Sequence, residues 1–360
     1  MENFRAKHPG LTEEQLQIKY KIWEREKERL RLLEESENKK KYKNPFQEKD
    51  DNDDIAIYDG SLDIDGSHTG LVSDAAIVGA EISFIYPQYT GGVTKTTFSD
   101  SEGKFLIPRS FGSGNIFIKG GMDTILGIPY TGAFAMDGVF FHNYSAVTPF
   151  THVANHIWNG TPTRIPDEAM YAVMDYIFDF IGVPHSDLND IKRMFNNDPV
   201  KLTIDNERGA KEIQAINTLI DIHADLISAL KANYEWELEP LKIQTYQEIG
   251  NALLTRVNGQ DLRKYFENIF KFHISGQEKN HDKCCLSMLE RASYEIRDAL
   301  KSDGLECTSK IQGVNFMVKN EWKIKALEMT QDPKINDKKI WETIQSKTPD
   351  EVIPLINVPF

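Results

Sequence analysis

At Thr148-Pro149 the sequence changes period. Before it, from about Ile55, apolar residues come in short runs such as 80–86, 93–98, 104–107 and 115–119. These runs are rich in β-branched and aromatic side chains and are separated by Gly, Asp and Ser. Such runs half-bury a strand, and the residues between them are turn chemistry. After Pro149 the apolar residues recur every three or four positions, the period of a helix with one buried face. The spacing predicts helices over 167–181, 187–196, 207–231, 240–256, 260–273, 283–302, 320–329 and 336–346, with Ser186 and Asp205 as caps and a break at Asp198-Pro199. One chain with both periods in separate halves is expected to be an α+β multidomain protein: an antiparallel β-sandwich over 55–147 and an all-α domain over 148–348. Asp100-Ser101-Glu102-Gly103 reads as a tight hairpin in which Gly103 takes positive φ.

The two ends have their own character. Residues 1–45 are dense in Glu, Lys, Arg and Leu, and Thr12 with Gln15 has capping-box spacing. Leu16, Trp23 and Leu30 lie seven apart, with Tyr20 beside them, so they share one narrow stripe. A lone charged helix gains stability by packing its stripe on something, so this segment is expected to be a docking arm. Lys27 and Glu34 occupy the alternate seam positions and argue against a long coiled coil. Residues 46–54, with Asp-Asp-Asn-Asp, read as an acidic linker. At the other end, 349–360 carries Ile353, Leu355, Val358 and Phe360 between Pro354 and Pro359, which is too Pro-rich for helix and too apolar for a free tail. An extended segment packed on a neighbouring surface is expected.

Charge narrows the partners. The 360 residues hold 42 Lys+Arg against 55 Asp+Glu, a net −13, which disfavours nucleic acid and anionic membrane. There is no run of apolar residues long enough to span a bilayer, and the start of the chain has no apolar signal region. The three cysteines, Cys284, Cys285 and Cys307, suit a reducing compartment rather than a disulfide framework. Synthesis in the cytoplasm is the expectation.

Motifs for chemistry are few. Gly112-Ser113-Gly114-Asn115 lacks the later Gly and Lys of a phosphate loop, and no Gly-x-Ser-x-Gly elbow occurs. His152 and His156 stand four apart, but Val153 sits where a zinc protease needs its Glu, so two partly buried, hydrogen-bonded histidines are expected instead. His281, Cys284, Cys285 and Cys307 lack paired Cys-x₂₋₄-Cys elements and read as packing groups rather than a zinc site. Asp59, Asp63 and Asp65, among Gly60 and Gly66, are weak calcium candidates; the Glu that completes a calcium loop is missing, and Asp-Gly turns use the same letters. Phe134, Phe140, Phe141 and Tyr144 are expected to form core at the domain junction. No catalytic residue and no cofactor are predicted.

Two ordered sets of motifs carry a resemblance. Val78-Gly79-Ala80-Glu81-Ile82, followed by Thr97-Phe98-Ser99-Asp100-Ser101-Glu102-Gly103-Lys104-Phe105, resembles the signature of carboxypeptidase-regulatory-like, prealbumin-type β-sandwiches. Gly120-Gly121-Met122-Asp123-Thr124, Gly127 and Val147-Thr148-Pro149-Phe150-Thr151 resemble the stretch of bacterial surface and phage proteins in which that sandwich leads into a helical region. The segment from Ile181-Gly182-Val183 to Asp198-Pro199-Val200 is similar to the helical region itself. His152 and Leu126 depart from the pattern, which has Thr at both places. The resemblance spans about residues 55–230 and implies a displayed sandwich. With no export signal read in the chain, it implies a virion: a non-enzymatic structural component of a tailed-phage-like particle, in its tail, baseplate, neck or capsid surface. Its partners would be other virion proteins and copies of itself. The alternative is a surface carbohydrate-binding or adhesion accessory protein that takes a host-surface glycan.

Overall fold

Thr148 ends the strand region because its backbone is extended (φ −138°, ψ 167°) and its hydroxyl accepts the N–H of Thr151, while the Thr151 hydroxyl accepts the N–H of Thr148. That reciprocal cap, with Pro149 at the first helical position, starts the first helix. The computed structural model describes residues 69–72, 76–85, 94–107, 114–137, 146–160, 166–192, 197–256 and 281–331, all within one unit running from His68 to Phe360. The expected docking arm (Leu16, Tyr20, Trp23, Leu30), the acidic linker, the calcium candidates Asp59, Asp63 and Asp65, and the tail residues Ile353, Leu355, Val358 and Phe360 lie outside the described residues. So do the helices expected at 260–273 and 336–346, and Phe140, Phe141 and Tyr144.

Ten short strands precede the helices: β1 (Thr69–Val72), β2 (Ile77–Val78), β3 (Glu81–Ile85), β4 (Thr94–Phe98), β5 (Lys104–Leu106), β6 (Asn115–Lys119), β7 (Met122–Asp123), β8 (Ile128–Pro129), β9 (Ala133–Asp137) and β10 (Ala146–Val147). They form a four-stranded antiparallel sheet, β4-β3-β6-β9, and two three-stranded sheets, β2-β7-β8 and β10-β1-β5. The pairing is not antiparallel throughout, because β10 runs parallel to β1, with Leu71 opposite Ala146. A parallel partner needs a long crossover, and everything between Val72 and Ala146 supplies it. In the large sheet Ile82, Phe84, Ile116, Ile118, Phe134 and Met136 alternate inward and are buried.

The turn at Asp100–Gly103 forms, but the two strands flanking it are not a hairpin. Asp100 Oδ1 accepts the N–H groups of Glu102 and Lys104 at 2.8 and 2.9 Å, and Gly103 has φ +75°. Yet β4 pairs with β3, while β5 pairs with β1 in a different sheet. The Ser99 hydroxyl, which donates to the carbonyl of Ile77 (2.6 Å) and accepts from the N–H of Ala80 (2.9 Å), fixes the chain where it leaves one sheet for the other.

The helices are α1 (Pro149–Asn159), α2 (Pro166–Ile181), α3 (Leu188–Lys192), α4 (Pro199–Ile204), α5 (Ala210–Lys231), α6 (Leu238–Arg256), α7 (His281–Ala299), α8 (Gly304–Met317) and α9 (Lys323–Gln331). A 3₁₀ turn, Glu235–Glu237, precedes α6, and a π-helical stretch, Val318–Trp322, joins α8 to α9. Three of these depart from the expected helices. α1 was not among the expected helices; α4 follows Asp198, which caps it through the N–H of Val200 (2.9 Å) instead of merely breaking the chain. α8 lies outside the expected helices because it is buried on nearly every side from Cys307 to Met317 and therefore shows no amphipathic stripe. Asp205 ends α4, and α5 begins after Gly209 at φ +85°.

α5 is the central element. Its residues from Ile213 to Leu230 are all buried, and α6, α4, α8, α9 and α1 pack around it.

Candidate functional site

A buried cluster of charges joins the strand region to the helices. Asp221 and Asp225 stand four apart on α5, so both carboxylates leave the same face, and neither has any exposure. Lys242 of α6, 1% exposed, bridges them, with its Nζ 2.7 Å from Asp221 Oδ1 and 3.1 Å from Asp225 Oδ1. Lys319 of the π-helical stretch reaches Asp221 Oδ2 at 2.8 Å, and Lys323 of α9 reaches Asp225 Oδ1 at 3.0 Å. Lys323 also donates to the hydroxyl of Thr131, in the connection between β8 and β9, at 3.0 Å. Tyr246 donates to Asp221 Oδ1 and shares a 3.2 Å hydrogen bond with Tyr130. Burial and the neighbouring Asp221 hold the Tyr246 phenol well above its usual range, so it stays a donor. The Tyr130 ring lies 4.8 Å from Lys242 Nζ, close enough for a cation–π contact.

This cluster is the charged end of a longer polar seam. Gln214, Asn217, Thr218, Asp221 and Asp225 recur at helical spacing on α5, and Thr308, Gln312, Asn315, Lys319 and Lys323 do so along the continuous run from α8 to α9; all but the partly buried Lys319 are buried. Thr308 donates to Gln214 Oε1 at 3.3 Å, and the pairs 214–308, 221–319 and 225–323 ascend together, so the two helical runs are parallel. Asn217 Oδ1 accepts the N–H of Phe150, which ties the start of α1 to the same seam.

A solvent-facing groove of about 310 Å³ lies where α1 flanks the edge of the large sheet. The N–H groups of Ala135 and Asp137 face away from β6, an edge that another strand could extend. Here α1 covers it: Ala135 N–H donates to His152 Nδ1 at 3.4 Å and Asp137 N–H to Asn155 Oδ1 at 3.0 Å. Residues three apart on a helix and two apart on a strand make this match possible. Burial, and secondarily His156, push the His152 pKa down to about 3, so the ring is neutral and keeps Nδ1 as the acceptor. Its ring packs 5.2 Å from Tyr246 and edge-on to Phe134. His156 bonds Asn251 Oδ1 at 3.0 Å, and Gly250 makes room for it, since a Cβ there would lie 2.8 Å from the imidazole. Asn159 and Gln247 line the exposed rim with Asn115, and Phe117 and Ile85 supply its apolar floor.

A larger cleft, about 450 Å³, opens where α5 and α8 begin. Its cations are already engaged: Arg208 with Asp190 at 3.0 Å, and Lys211 with Asp303 at 2.8 Å and the carbonyls of Leu300 and Ser302.

Among the residues singled out in the sequence, His152 is buried and hydrogen-bonded, Phe134 is core, and Cys307 is fully buried with its thiol pushed up to about 12 by burial. Among the described residues no three His, Cys, Asp or Glu side chains gather as a metal site, and no helix is long and apolar enough to cross a membrane. The sequence reading missed the charge cluster. Its signal is two acids four apart in the stretch of α5 from Ile213 to Leu230, which has no other Asp, Glu, Lys or Arg, and two lysines four apart after α8. No family model, characterised protein or solved structure matches the chain.

Proposed function

We propose that this chain is a non-enzymatic structural and interaction protein, with its strand region a displayed prealbumin-type sandwich and its helical region the body that packs against neighbouring subunits. The supporting observation is the cluster of Asp221, Asp225, Lys242, Lys319 and Lys323, in which the most buried charges are spent on each other and on Thr131 rather than turned toward a cleft. Ionic groups used this way specify how the elements meet, a role suited to a rigid assembly unit. The setting we propose is a tailed-phage-like virion, in its tail, baseplate, neck or capsid surface, with partners that are other virion proteins and further copies of this chain. Residues 1–45 are its docking arm, through Leu16, Tyr20, Trp23 and Leu30.

Quantitative mass spectrometry of purified particles tests this reading. A fixed stoichiometry to the known shell or tail proteins is the expected result, and deletion of residues 1–45 should remove the chain from particles while leaving it soluble. Absence from particles, or incorporation unchanged by the deletion, overturns it.

A further inference from the structure

The groove beside α1 has the chemistry of a site for an uncharged, hydroxyl-rich ligand, and we propose that it binds a segment of neutral saccharide. Two nearly buried side chains carry the argument. His152, 2% exposed, has one ring nitrogen committed to Ala135, and Asn155, 6% exposed, has its amide oxygen committed to Asp137. Among the described residues neither has a further polar partner, so an imidazole Nε2–H and an amide NH₂ remain to be offered where both residues line the groove. Neither atom is among the sealed, unpartnered ones, so each is open to the groove's solvent, where a ligand oxygen can take the place of water.

The rest of the lining selects the class. Among the described residues no Lys, Arg, Asp or Glu lines the groove, so none of them supplies the means of holding a phosphate, a carboxylate or a metal cation. Addition of a peptide strand is blocked as well, because the outward N–H groups of β9 are already taken by His152 and Asn155. What remains is a set of planar amides that both donate and accept, Asn115, Asn159 and Gln247, beside the apolar surface of Phe117. Adjacent hydroxyls of a sugar match the paired donor and acceptor of an amide, and its C–H face matches an aromatic ring. A volume of about 310 Å³ is at the small end of ligand pockets, room for a short stretch of chain. The inference does not depend on the virion setting.

Titration of the full-length protein with maltohexaose, cellohexaose and chitohexaose, followed by calorimetry and by NMR of side-chain amides, tests it. The expected result is saturable binding of at least one of the three, weakened by about tenfold or more (~1.4 kcal/mol) in Asn159→Ala/Gln247→Ala, whose melting temperature is unchanged because both residues are exposed. Saturable binding that the double variant leaves intact places the sugar elsewhere and overturns the proposal. Failure of all three to bind at millimolar concentration also overturns it, without bearing on particle stoichiometry.

Discussion

Asp225 Oδ1 takes two ammonium groups, and with Lys319 on Asp221 the buried cluster holds three lysines against two aspartates. That count sets the order of mutational effects. Asp225→Asn leaves three ammoniums facing one carboxylate, an uncompensated buried charge whose cost is about 3–5 kcal/mol. Lys242→Met leaves two of each and should cost less, even though Lys242 touches both acids. Urea denaturation of the two variants measures the difference, and an equal or reversed order would show that pairing geometry rather than charge balance governs the cluster. His152 offers a second test. Its pKa is held near 3 in the fold against an ordinary value of 6.5, so below pH 6.5 the unfolded chain binds a proton that the native ring refuses. Stability from this group is complete above pH 6.5 and is lost as pH falls toward 3, by up to about 1.4 kcal/mol per pH unit. The stability advantage of the native protein over His152→Gln should therefore shrink between pH 7 and pH 4.5. Burial raises Asp198 to about 6 and acts with the opposite sign, but it is common to both proteins and cancels from the difference.

At the level of elements, the turns decide where strands go. Gly103 and Gly79 both take positive φ, at +75° and +68°, and they separate two costs. A Cβ on Gly79 meets nothing within 4 Å, so Gly79→Ala bears only the left-handed backbone penalty of about 1–2 kcal/mol. At Gly103 the same atom would lie 2.7 Å from the carbonyl oxygen of Val72, a backbone atom that accepts no easy shift. Gly103→Ala should be clearly the more destabilising of the two by thermal denaturation; equal costs would mean that β1 moves aside freely. The reading of Asp100–Gly103 as a turn came from local chemistry that the sequence displays. Which sheet each flanking strand joins did not, because that choice rests on Ser99 meeting Ile77 and Ala80, about twenty residues away in the chain. α8 was invisible for a related reason, since periodicity marks a helix with one wet face and this one has almost none.

For the molecule as a whole, the strand and helix regions are joined through Lys323 to Thr131, through Tyr246 to Tyr130, and through α1 along the edge of β9. These contacts predict a single unfolding transition for residues 68–360, with equal calorimetric and van't Hoff enthalpies of thermal unfolding. Two separated transitions would show that the regions fold independently. The sequence by itself determined the α+β class, the change of regime at Thr148-Pro149 and the Gly103 turn, because these follow from periodicity and short-range hydrogen bonding. Only the tertiary structure decided that strands flanking one turn part into different sheets, that β10 lies parallel to β1, and that five charges from three separate helical runs meet around Asp221 and Asp225. The groove belongs to the same group, since His152 and Asn155 become a lining only when α1 lies along β9. Each of these depends on groups distant in the chain approaching one another, and no local pattern records which distant partner a buried lysine or an edge strand will find.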